Sequence, residues 1–322
     1  MYESIKNFNK QFSYDPEIKN EDHLEKKLEF VVIGMGGSAL APLLLKTWNS
    51  NLEMMIHHDY GLPEFQIEKF KNKLIILSSY SGNTEEVLDA FKEAKEKNLA
   101  MAIISTGGKL LSLAKENNVP YIKLPDTGIQ PRLALGLSIK AFLKFMGEEE
   151  ELKNISLLAT TLNPINFEEI GKTLAQKIKN YVPIVYASSR NLSLVYNWKI
   201  KLNETGKIPA FYNVLPELNH NEMTGFDVKD STEELSNKFY FLILKDKEDN
   251  SKILKRIDVL EKLYKDRDLK VETIEIKGEN IWEKIFSSLL LADWTAYYTA
   301  LEYKQDPEQV PMVEEFKKLI LE

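Results

Sequence analysis

The 322-residue chain contains no cysteine. That excludes disulfides, thiolate metal sites and a cysteine nucleophile, and it fits a reducing cytoplasm. Arginine is scarce as well: Arg132, Arg190, Arg256 and Arg267 are the only four, against abundant lysine. Histidine is limited to His23, His57, His58 and His220, so imidazole chemistry has a short list of candidates. No run of about 18 apolar residues occurs, which leaves no membrane-spanning helix, and the opening MYESIKNFNKQF lacks the apolar centre of a secretion signal. Basic excess is missing too. With a formal charge of −7 and a pI near 5.4, no positive field recruits nucleic acid or an anionic membrane. What is present, 43% hydrophobic and 28% charged residues, is the composition of a soluble globular protein, expected in the cytoplasm and long enough for two domains.

The informative stretch is residues 71–90, KNKLIILSSYSGNTEEVLDA. Leu74 to Leu77 is an apolar run of strand length, and Glu85-Glu86-Val87-Leu88 opens a helical pattern. The loop between them is made of hydroxyls, Gly and Asn. A helix N-terminus carries unpaired N–H groups and a positive dipole end, so such a loop can hold an anion. Ser79, Ser81 and Thr84 would donate to it, and Gly82 would let the backbone approach. An ordinary helix cap at Thr84, with the other hydroxyls solvated, fits the same letters.

Around this stretch, strands are expected at 28–33, 54–58, 100–105 and 121–124, alternating with helices at 39–48, 85–97, 110–117 and 133–146. The second half repeats the plan, with strands at 183–188, 239–245 and 269–276. Its helices are expected within 152–179, through Trp198 to about 203, and over 249–264, 281–303 and 311–320. This alternation predicts an α/β fold of two subdomains, each a mostly parallel sheet flanked by helices. Ligands of such sheets bind beyond the carboxyl ends of the strands, where the Gly34–Ser38 turn and the Ser79 loop both fall. The acidic run Glu148–Glu151 suggests a boundary, giving domains 1–150 and 151–322. The helix over 281–303 is apolar on more than one face, which means deep burial or a subunit interface.

Acid–base candidates lie in residues 203–222, NETGKIPAFYNVLPELNHNE, read as a pair of chain breaks. Glu204 stands at a helix end before Gly206, either facing a cleft or simply solvated. His220, the only histidine of this half, is either an acid–base group or a cap. His57 and His58, adjacent on a strand, point to opposite faces and make a poor metal pair. No metal or other cofactor is expected.

SSYSGNTEE and VVIGMGGSA resemble the two sugar-contacting segments of the sugar isomerase (SIS) domain family. With QPR-x-A, NETGK-x-PA, PE-x-x-HN and DP…FK following in order, the chain from Val31 to Lys317 resembles the bifunctional phosphoglucose/phosphomannose isomerases, a branch of the phosphoglucose isomerase superfamily. The resemblance implies two SIS-type subdomains and interconversion of glucose 6-phosphate, and of mannose 6-phosphate, with fructose 6-phosphate. It implies phosphate contacts at Ser79, Ser81 and Thr84, and a sugar-side turn at Gly36, Gly37 and Ser38. Arg132 matches the arginine that stabilises a cis-enediolate, Glu204 the catalytic base, and Lys317 a C-terminal lysine contacting the substrate. His220 matches the ring-opening histidine, which in that family comes from the other subunit of a homodimer. Two departures stand out: NETGK where NENAK is usual, and FK where LK is usual.

These residue types suit the chemistry. A hydrogen beside a carbonyl can be taken and returned to the neighbouring carbon by one carboxylate. The enediolate then needs a cation that cannot lose its proton. The apolar helix around Ile285–Tyr298 would supply the surface of a dimer. Two alternatives remain at this level: an isomerase for a different phosphosugar, and a non-catalytic phosphosugar-binding regulator.

Overall fold

The computed structural model describes residues 1–227 and 231–320. The chain divides into two compact units, Asn7–Asn163 and Pro164–Glu322, the second also holding the first six residues with helix α1 (Tyr2–Lys6). Among the described residues no helix is long and apolar enough to cross a membrane.

The first unit carries strands β1 (Glu29–Ile33), β2 (Met54–His57), β3 (Lys73–Ser78), β4 (Met101–Ser105) and β5 (Tyr121–Lys123). They form one parallel sheet in the order β2-β1-β3-β4-β5. Its helices are α2 (Gly37–Trp48), α3 (Glu85–Glu96), α4 (Gly108–Glu116), α5 (Leu135–Met146), α6 (Glu149–Ser156) and α7 (Leu158–Thr161). The central strands are apolar without alternation because helices cover both faces. Val31, Ile33, Ile75 and Leu77 of β1 and β3 pack with Val87, Ala90 and Phe91 of α3 and with Leu110 and Ala114 of α4. Helices α2 and α5 pack against each other, α2 also on β1 and α5 on β4. After β1 the chain turns to β2 on one side, then crosses to β3 on the other. The β1–β3 junction is therefore the switch point of the sheet, where a crevice opens at the strands' carboxyl ends.

The second unit repeats the plan. Strands β6 (Val182–Ser188), β7 (Phe211–Leu215), β8 (Phe239–Lys245) and β9 (Lys270–Glu275) form a parallel sheet in the order β7-β6-β8-β9. Its helices are α8 (Glu168–Ile178), α9 (Leu192–Glu204), the single turns α10 (Glu222–Gly225) and α11 (Glu233–Ser236), then α12 (Ser251–Lys265), α13 (Ile281–Glu302) and α14 (Pro311–Leu319).

Three features differ from expectation. The units divide between Asn163 and Pro164 rather than at the acidic run. Glu149, Glu150 and Glu151 instead form the first turn of α6, where carboxylates complement the helix dipole, and α6 packs on α5. Between the two breaks read in residues 203–222 lies an element not expected from the sequence, because FYNVL is the edge strand β7, with Phe211 and Tyr212 exposed. Finally, α13 is buried inside its own unit against α8 and α9. Ile285, Phe286, Leu289, Leu290 and Trp294 are all 0% exposed, so this helix is not a dimer surface. Gly171 permits the close approach, since a Cβ there would lie 2.5 Å from the Trp294 Cβ.

Candidate active site

In the first unit, β3 ends at Ser78 and α3 begins at Glu85, and the hydroxyl loop between them is held from within. The buried Ser79 Oγ accepts from the Gly82 amide at 3.1 Å and lies 2.7 Å from the Thr84 hydroxyl. Thr84 is therefore turned toward Ser79 and makes no side-chain cap on α3, although it sits at the cap position. That leaves the first amides of α3 for another acceptor. The exposed Ser81 takes the Asn83 amide at 3.3 Å.

The loop is also locked to the turn after β4. Gly82 has φ +71°, and a Cβ there would stand 1.9 Å from the Gly107 carbonyl oxygen. Gly82 O accepts from the Leu110 amide at 2.9 Å, and Tyr80 O accepts from the Thr106 amide and hydroxyl at 3.0 and 2.6 Å. Any residue but glycine at 82 would meet both a steric and a conformational barrier.

Two further segments close on this loop. Ser38, in the first turn of α2, accepts the Tyr80 amide on its hydroxyl at 2.9 Å, which ties the turn after β1 to the loop after β3. Gly36, with φ +49°, makes the bend that starts α2. A Cβ on Gly37 would lie 2.8 Å from Pro131 and 2.9 Å from the Arg132 amide nitrogen, so the Arg132 segment packs directly on this turn. Arg132 is only 2% exposed, on a single 3-10 turn, and its Nη1 donates to Gln130 Oε1 at 3.4 Å. That turn is pinned by Gln11, which donates to Leu133 O at 2.8 Å and accepts from the Gly136 amide at 3.1 Å. Thus Gly36, Gly37, Ser38, Ser79, Ser81, Thr84 and Arg132 belong to three converging segments at the switch point.

In the second unit Glu204 is the last residue of α9 and half-buried. Its helix is anchored by a buried ion pair, Lys201 to Asp293 of α13 at 2.5 Å. Lys207, at φ +60°, donates its ammonium to the Glu204 carbonyl at 2.5 Å and to the Gln309 carbonyl. The turn after the base candidate is thereby joined to the lead-in of α14. Burial pushes the Tyr196 hydroxyl up, with Tyr212 and the Glu204 carboxylate adding to the effect.

His220 and Lys317 lie elsewhere. His220 is exposed on the short turn Glu217–His220 that follows β7. Lys317 is exposed on α14, a helix with no buried residue, and pairs with Glu314 at 3.0 Å. The parallel pairing of β6 and β7 separates Glu204 from His220. Helix α9 runs back from the carboxyl end of β6, so Glu204 stands toward the amino end of β7 and His220 beyond its carboxyl end. A five-residue strand covers roughly 13–17 Å.

Sequence reasoning overlooked Lys207, Glu222, Tyr186 and Asn213. The Glu222 carboxylate accepts from the hydroxyl of Tyr186 on β6 and the amide of Asn213 on β7. Its place two residues after His220 was the one available signal, because Asn213 has no visible role until β7 is recognised. Among the described residues no three His, Cys, Asp or Glu side chains are grouped to hold a metal ion. A groove of about 800 Å³ beside Ile170, Leu174, Ile274 and Leu291 contains none of the expected site residues.

Residues 167–320 match the family model described as the bacterial phospho-glucose isomerase C-terminal SIS domain. A bifunctional phosphoglucose/phosphomannose isomerase of Caldicellulosiruptor bescii is 33% identical, the match covering 100% of this chain and 99% of that protein. One of Aquifex aeolicus is 30% identical over 99% of this chain and 97% of its own length. Among solved structures, glucosamine-6-phosphate deaminase from Thermotoga maritima superimposes with a TM-score of 0.66 at 18% identity, over 96% of this chain and 97% of that one, a likeness of fold.

Proposed function

Since the chain belongs to the bifunctional phosphoglucose/phosphomannose isomerase family, we propose that it interconverts both glucose 6-phosphate and mannose 6-phosphate with fructose 6-phosphate. The observation that carries this reading is the convergence of three segments in the first unit. Gly37 packs on Pro131 and the Arg132 backbone, and the Ser38 hydroxyl accepts from the Tyr80 amide, so the hydroxyl loop and the turn that carries the buried Arg132 both adjoin the turn after β1.

In this reading the first unit holds the substrate. Ser79, Ser81, Thr84 and the first amides of α3 bind the phosphate, which does no chemistry but fixes the reacting carbons. Gly36, Gly37 and Ser38 line the sugar. Arg132 faces the oxygen that becomes negative in the cis-enediolate; its fixed charge favours that state over the neutral carbonyl. Glu204 takes the hydrogen from C2 of the aldose and returns it to C1; in the reverse direction the hydrogen leaves C1 of the ketose, and the face of C2 of the enediolate that receives the proton distinguishes the glucose from the mannose product. His220 opens the sugar ring, and Lys317 contacts the substrate.

The separation of Glu204 and His220 by the length of β7 supports a homodimer in which His220 serves the neighbouring subunit. Its exposure supports the same reading. The test is incubation with fructose 6-phosphate in deuterated water, with analysis of the products. Glucose and mannose 6-phosphates, each carrying solvent deuterium at C2, are expected. Formation of neither aldose refutes the proposal, and products without deuterium refute free exchange at the Glu204 base.

A further inference from the structure

We infer that Glu222 is a positioning residue whose carboxylate, clamped between Tyr186 and Asn213, fixes the turn that presents His220. The inference rests on the ring-opening role of His220 proposed above.

The turn has little to hold it locally. His220 is exposed, and of the residues from Glu217 to His220 only Leu218 is buried. A short exposed turn of this kind would ordinarily sample several conformations. Here it is tied at three points. Asn219 Oδ1 accepts from Arg256 Nη1 of α12 at 3.3 Å. Asn221 reaches back to Glu217 Oε1 at 2.8 Å and caps the Glu222 amide at 2.6 Å.

The third tie is the strongest. Glu222 receives one donor on each carboxylate oxygen, Tyr186 on Oε1 and Asn213 on Oε2. Those donors come from adjacent paired strands, in register as Tyr186 opposite Asn213. Hydrogen bonds to an ionised acceptor are about twice as strong as neutral ones. Tyr186 is fully buried, and burial, with Tyr264 and Glu222 adding, drives its hydroxyl far above the usual phenol range, so it stays a donor. The sheet therefore sets the position of Glu222, and Glu222 limits where a side chain two residues earlier can reach. A catalytic group displaced by even 1 Å loses much of its effect.

The test is a cycle of Glu222→Ala, His220→Ala and the double variant, with kcat and KM measured on glucose 6-phosphate, alongside Glu222→Gln. Glu222→Ala should lower kcat about tenfold or more with KM changed less than about threefold. Glu222→Gln, which retains one acceptor oxygen, should recover most of the loss. The double variant should be no slower than His220→Ala, since a positioning residue has nothing left to position. A purely structural role would instead multiply with the His220 loss and would not spare KM. Multiplying effects, or wild-type kcat in Glu222→Ala, overturn the inference. Wild-type kcat in His220→Ala overturns the ring-opening reading itself, and the inference with it. Should Glu222→Ala fail to fold, Asn213→Ala on the edge strand removes one donor and carries the same expectation at smaller size.

Discussion

Gly37→Ala asks whether the approach of the Arg132 segment to the turn after β1 matters for catalysis. The added Cβ would sit 2.8 Å from Pro131 and 2.9 Å from the Arg132 nitrogen, two of these neighbours being backbone atoms that cannot rotate away. Ordinary contact needs about 3.4 Å, so the segment must retreat by about 0.6 Å. Overpacking of this kind costs about 1–3 kcal/mol. At about 2–4 °C per kcal/mol for a protein unit of this size, Tm falls but the protein still folds at 25 °C. The effect on rate should be larger than the effect on stability. In the proposed mechanism Arg132 acts on charge that develops only in the transition state, so kcat should fall about 10–100-fold while KM for fructose 6-phosphate moves little. Gly147→Ala is the control. Gly147 has φ +75° at the end of α5, and a Cβ there would meet open space, so alanine strains the backbone without pushing on any neighbour. It should lower Tm and leave kcat intact. Steady-state kinetics with fructose 6-phosphate, with thermal unfolding of both variants, decides the matter. A folded Gly37→Ala enzyme with wild-type kcat would refute the assignment of Arg132 as the group that stabilises the enediolate.

Glu204→Gln keeps the shape of the base and removes its proton affinity, so kcat should fall by about 10²–10⁴-fold with binding retained; more than a tenth of wild-type kcat would exclude Glu204 as the base. Thr84→Ala and Ser81→Ala should chiefly raise KM, because the phosphate is held alike in ground and transition states, and unchanged KM in both would move the phosphate elsewhere. Mixing Glu204→Gln with His220→Ala subunits under exchange should restore activity to about a quarter of wild type, since half of random dimers are mixed and each mixed dimer has one intact site. Exchange without recovery would mean that His220 acts within its own chain or not at all.

Much of this molecule is legible in local sequence. Leu74 to Leu77, a run of hydroxyl residues with Gly and Asn, and then Glu85-Glu86-Val87-Leu88 dictate strand, loop and helix, because period, burial and turn chemistry act over a few residues. The repeated alternation dictates parallel sheets, and with them the end of the sheet at which a ligand binds. Arg132 drew notice as one of only four arginines. What needed the tertiary structure is whatever joins distant positions. Nothing near Gly37 announces that its missing side chain makes room for Pro131 and Arg132. An apolar helix such as α13 reads the same whether a partner or its own chain covers it, and only the packing of Gly171 on Trp294 resolves the choice. Strand β7 escaped notice because an edge strand exposes its aromatic residues and is flanked by Pro209 and Pro216, which read as breaks. Once it pairs with β6, its length separates Glu204 from His220, and its Asn213 meets Tyr186 across Glu222. Residue types and local order are written along the chain, whereas register and close approach are set by which surfaces meet, and that information resides in both partners together.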